Sequence, residues 1–107
     1  MTARAEVDRA QAMANAVEGL RPRIVAALQA LVRIPSQTGH EGAAQEAVAR
    51  LMREHGLDID IWEPDPAALA PYAESVTLDN GFAGRPNVVG VQRGSENGRS
   101  LILNGHI

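Results

Sequence analysis

Apolar and polar residues follow three different periods along this chain, and each period marks a different kind of element. Residues 3–18 are rich in Ala, Glu, Arg and Gln, good helix formers, but their apolar spacing is weak. They read as a solvated outer helix, an extension over residues 1–19. Gly19 and Pro22 are expected to interrupt it, because proline is accepted in a first helical turn and not in an interior. From Pro22 to Arg33 the pattern firms up: Ile24, Leu28 and Leu31 share a face, flanked by Val25 and Val32. Ile34 precedes Pro35 and is driven out of the α region, so this helix should end near Arg33.

A loop, Ser36 to Glu41, leads to a second amphipathic helix. Thr38 with Glu41 three residues on is a capping-box signature. Ala44, Ala47, Val48, Leu51 and Met52 then recur at helical spacing. Gly56 suits the residue just past the helix end, and Leu57 the apolar contact that accompanies it. Leu57 to Trp62 alternates perfectly, with aliphatics on one face and Asp58 and Asp60 on the other, which predicts a half-exposed strand. Residues 63–86 hold Pro64, Pro66, Pro71, Gly81, Gly84 and Pro86 and read mostly as loop; Asp65-Pro66 should start a short helix through Ala67–Ala70.

Asn87 to Gln92 predicts another strand, Arg93 to Arg99 a turn, and Ser100 to Asn104 a final strand. The short link favours a hairpin between these last two strands. Leu101-Ile102-Leu103 reads as the most deeply buried strand, as in the middle of an α/β sheet. The fold class is therefore α/β: two to three helices packed on a mixed sheet, in the order α-α-β-loop-β-β.

Composition narrows the function classes. At 107 residues the chain is one domain or less, with 45% hydrophobic residues and 3% aromatic. A net charge of −3 gives no electrostatic reason to expect nucleic acid or an anionic membrane as partner. With no cysteine there is neither a disulfide framework nor a thiolate zinc site. The charged start lacks an apolar core of the secretory type, and no segment reaches the roughly 20 apolar residues of a membrane span. These features point to a cytoplasmic α/β polypeptide.

Candidate chemistry centres on histidine. His106 follows Gly105 just past the expected final strand, where open α/β sheets place ligands, and imidazole is the commonest metal ligand. His40 reads as an exposed loop residue, since a cation sits badly near a helix N-terminus; His55, in a last helical turn, is explained by the helix dipole. Asp58 and Asp60 are the polar face of their strand. Ser36 lacks the glycine-flanked elbow of a nucleophilic serine. Arg85 reads as a salt bridge that anchors its loop.

Four ordered segments match one family pattern: Leu31-Val32-Arg33-Ile34-Pro35-Ser36, Gly39-His40-Glu41-Gly42, Arg85-Pro86-Asn87-Val88-Val89-Gly90 and Leu101-Ile102-Leu103-Asn104-Gly105-His106-Ile107. Together with Trp62-Glu63-Pro64-Asp65, they make residues 20–107 resemble the amino-terminal segment of the M20 metallopeptidase family, in its acetylornithine deacetylase and succinyl-diaminopimelate desuccinylase group. The resemblance implies that residues 1–107 are the incomplete amino-terminal portion of a zinc-peptidase-like catalytic domain. It implies that His106 is the first zinc ligand of a two-zinc site, with cobalt as an alternative metal. An Asp two positions after that histidine orients it in the family, and the other metal ligands and the general-base Glu also lie beyond these residues. No catalytic residue is then expected within the chain.

The family reaction is hydrolysis of an N-acyl amino acid or dipeptide amide, in which the metal activates a water and polarises the carbonyl while a Glu takes the proton. A homodimer is expected only for the full-length protein. The reading from a different class is a non-catalytic interaction module that offers an exposed strand edge to a protein partner.

Overall fold

The computed structural model describes residues 2–76, 81–95 and 97–107, which form three α-helices, one short 3-10 turn and a two-stranded antiparallel sheet. The class is α/β. The chain divides into two units, one ending at Arg33 and one running from Ile34 to Ile107.

The first unit is helix α1, Ala3–Val32, opened by the Thr2 hydroxyl accepting from the Ala5 amide at 3.4 Å. It corrects the expectation of a break: the helix runs without interruption through Gly19 and Pro22. A proline removes one ladder hydrogen bond and costs about 3 kcal/mol in a helix interior. Here it is outweighed by alanine-rich turns on both sides of it. The bidentate pair of Arg21 with Glu18, at 2.7 and 2.9 Å, bridges the turn just before it. Residue 19 is therefore not the end of an outer extension. The predicted stop before Pro35 holds, with Arg33 as the C-cap.

The second unit is built on helix α2, Gly42–Glu54, which packs on both strands of the sheet. Ala44 and Ala49 are completely buried, with Ala47, Val48, Leu51 and Met52 half-buried beside them. The helix closes as expected in a Schellman motif. The Leu57 amide donates to the Met52 carbonyl at 3.1 Å and the Gly56 amide to that of Arg53 at 2.9 Å. Gly56 takes the left-handed φ of 78° that this closure requires.

Strand β1, Asp58–Trp62, pairs antiparallel with strand β2, Asn87–Val91, in the register Asp58↔Val91, Asp60↔Val89, Trp62↔Asn87. Asp58 and Asp60 are exposed, as their alternation predicts. Between the strands, Asp65 caps helix α3, Pro66–Leu69, by accepting from the Ala67 amide at 2.9 Å; Pro66 stands in its first turn, and a 3-10 turn, Ala70–Tyr72, follows. Gly90 lets helix and sheet meet: a Cβ there would lie 2.7 Å from Leu57 Cδ2 and 2.8 Å from Met52 Sδ.

The last expected strand is overturned. Residues 100–104 have no regular structure, and Leu101, Ile102 and Leu103 are 82, 88 and 87% exposed rather than most deeply buried. The partner of β2 is β1, so the sheet is antiparallel and not mixed, and the hairpin with residues 100–104 does not form. A strand draws its hydrogen bonds from a neighbour, so an aliphatic run signals a demand for burial without supplying the partner.

Candidate functional site

Two of the segments that carry the family resemblance meet through one ion pair. Arg85 Nε donates to Glu41 Oε2 at 2.7 Å, and a terminal guanidinium nitrogen donates to Glu41 Oε1 at 2.9 Å. This bidentate fork is the strongest geometry available to an arginine and a carboxylate. The other terminal nitrogen donates to the Gly81 carbonyl at 2.8 Å, while the Gly39 amide donates to Glu41 Oε1 at 3.0 Å. Both side chains are largely sequestered, at 13% exposure for Glu41 and 20% for Arg85.

A third segment joins them. Glu63, at the end of β1, accepts from the Gly84 amide at 2.7 Å, and Gly84 holds a φ of 74°. The Gly84 carbonyl in turn approaches Gly42 so closely that a Cβ on Gly42 would lie 2.6 Å from its oxygen. Glycine at position 42 is what lets the start of α2 rest on the 81–86 loop.

The chemistry of this cluster is structural. The hydrogen bonds from Arg85, then that from Gly39, pull the Glu41 carboxyl from its ordinary 4.5 down to about 2, against the opposing effect of desolvation. A general base works best with a pKa near the operating pH, and a carboxylate held this acidic takes up protons poorly at neutrality. The same pair raises the Arg85 pKa. Glu41 and Arg85 therefore tie the entry to α2, the Gly81–Gly84 turn and the start of β2 into one unit.

The expectation that Arg85 anchors its loop is met. The capping box is not: Glu41 itself is the N-cap of α2, with no side-chain capping bond, and its carboxylate turns to Arg85 and Gly39. The isolated signature could not register an arginine 44 residues away. Glu63 was legible only as part of the Trp62–Asp65 motif; its bond to Gly84 becomes apparent once β1 and β2 are paired.

The three histidines lie on separate segments, and all are exposed: His40 in the loop before α2, His55 at its C-cap, and His106 in the irregular stretch near Ile107. Among the described residues no three His, Cys, Asp or Glu side chains form a group that could hold a metal ion. The residues present thus do not fit a zinc ion by themselves, since a catalytic zinc takes about three protein ligands. Among them too, no helix is long and apolar enough to cross a membrane. In comparisons with protein-family models, curated proteins and solved structures, the chain matches none.

Proposed function

We propose that this chain is the amino-terminal part of an M20-type metal-dependent amidohydrolase, one that removes N-acyl groups from amino acids or cleaves dipeptide-like amides. What carries the reading is the ordered set of motifs ending on Gly105-His106-Ile107. The bonds Glu41–Arg85 and Glu63–Gly84 support it, because they give three of those separated motifs a common physical purpose. In this reading His106 is one ligand of a zinc site whose other ligands belong to further sequence of the same domain. The 107-residue chain alone then turns over no substrate.

Sequencing the source gene across codon 107 is the test. The reading expects an Asp codon two positions after that of His106, and any other residue there overturns it. An assay of the purified chain on N-acetylornithine with added zinc or cobalt should show no turnover above that of a host-cell control.

A second reading, a non-catalytic module that binds a protein partner through strand pairing, is favoured by one observation. Leu101–Leu103 are exposed, and each strand of the two-stranded sheet has one edge without a partner among the described residues. A stop codon directly after that of Ile107 selects this reading over the first.

A further inference from the structure

The unbroken course of α1 has a consequence for its surface. Because the helix continues through Pro22, two short apolar patterns merge into one. Ala10, Met13, Val17, Leu20, Ile24, Ala27 and Leu31 recur at alternating intervals of three and four residues, which is the heptad spacing of a coiled-coil seam. Ala10, Val17, Ile24 and Leu31 take the first core position of each heptad; Met13, Leu20 and Ala27 take the second. Met13, Val17, Leu20 and Ile24 remain 63, 59, 43 and 52% exposed. Pro22 falls at the heptad position farthest from the seam, so its missing amide lies on the outer side of the helix.

We propose that α1 is a dimerisation helix that pairs in parallel with α1 of a second copy of this chain. The residue types select this partner: β-branched Val17 and Ile24 at the first core position, with Leu20 at the second, favour two parallel strands. Charge selects the same orientation. The positions flanking the seam carry Arg9, Arg21 and Arg23. In a parallel pair these face Ala14, Ala16 and Leu28 of the second copy, with no like-charge contact. In a fully overlapped antiparallel pair, the twofold axis passes beside residue 22 and sets Arg21 against Arg21 and Arg23 against Arg23.

Glu6, at the next core position toward the N-terminus, ends the seam. From Ala10 to Leu31 it runs ~32 Å at the helical rise, a strip about one helix diameter wide. That is a small interface, and Ala10 and Ala27 add little to it, so the dimer is reversible and concentration-dependent. The inference holds whether or not His106 binds zinc.

Sedimentation equilibrium of the whole chain over a concentration series provides the test. The average mass should climb from the monomer's 11.4 kDa toward twice that value. Leu20→Asp, in the seam, should raise the dissociation constant at least about thirtyfold, the equivalent of about 2 kcal/mol. Val25→Asp introduces the same charge on the same helix outside the seam and should leave the dimer intact. Since the chain has no native cysteine, Ala10→Cys offers an independent readout: it should oxidise to a disulfide-linked dimer only if the helices run parallel. A monomer at every concentration, or equal weakening by both aspartates, overturns the proposal. A persistent dimer in which the Ala10→Cys thiols do not link overturns the parallel arrangement.

Discussion

The α2–sheet body and the stretch from Leu101 to His106 carry similar aliphatic runs, yet one is packed and the other lies open. Ile59 and Val88 are half-buried under α2, whereas Leu101, Ile102 and Leu103 are almost fully exposed. Hydrophobicity does not separate them. The body has complementary fittings, each with a narrow geometric solution: Gly90 receives Leu57 and Met52, Gly42 receives the Gly84 carbonyl, and Glu41 receives Arg85. The Leu101–Leu103 segment has no fitting of this kind among the described residues. An aliphatic run creates a demand for burial, and polar and glycine contacts decide where that demand is met.

The largest break in the contrast should come from Arg85→Ala. It removes three donors at once and leaves the Glu41 carboxylate sequestered without its partner. The body holds few fully buried side chains, so its melting temperature should fall by about 10 °C or more, read by circular dichroism. A shift within error would mean that the ion pair does not hold the motifs together.

The same pair predicts a pH dependence. The Glu41 pKa is depressed in the folded chain, so its contribution is complete above the ordinary 4.5 and drains away as pH falls toward about 2. Stability of the wild type should therefore decline more steeply than that of Glu41→Gln across this window. Parallel curves for the two proteins would remove Glu41 from the explanation.

Glycine substitutions sharpen the comparison further, because the two fittings differ in stiffness. Gly42→Ala meets a backbone oxygen that cannot rotate away, and the helix-propensity gain of about 1 kcal/mol offsets only part of the clash. A net loss of about 1 to 2 kcal/mol is expected in urea unfolding. Gly90→Ala meets the tips of Leu57 and Met52, both able to change rotamer, so its cost should stay under about 1 kcal/mol. The reverse ranking would show that the sheet, and not the 81–86 loop, sets the position of α2.

The features legible in the sequence were those settled within a few residues. The Gly56–Leu57 closure, the Asp65-Pro66 start, the stop before Pro35 and the alternation of β1 each depend on neighbours no more than a turn away. The departures all involve longer range. Pro22 is tolerated because a whole helix of good formers surrounds it, Glu41 leaves its capping role for a residue 44 positions on, and residues 100–104 depend on a neighbouring strand. The Glu41–Arg85 half of the candidate site was partly readable, since Arg85 in a glycine-rich loop already suggested an anchor. His106 was singled out by its expected place after a strand, and that strand is not formed here.

The smallest expected effect separates the two regions most cleanly. Ile102→Asp places a charge where the side chain is already 88% exposed, so the chain's unfolding free energy should change by no more than about 0.5 kcal/mol. A larger loss would show that residues 101–103 are buried in solution, and the contrast would collapse. If the chain is part of an M20-type domain, the same substitution in the longer protein meets a different environment. There the segment gains neighbouring strands, and the lost burial of one isoleucine alone should cost about 1.5 to 3 kcal/mol. A near-zero effect in the short chain with a large one in the long protein would show that Leu101–Leu103 is a strand awaiting its partners. A near-zero effect in both would leave the exposed segment with no folding role, and would remove the strand end on which the placement of His106 as a metal ligand rests.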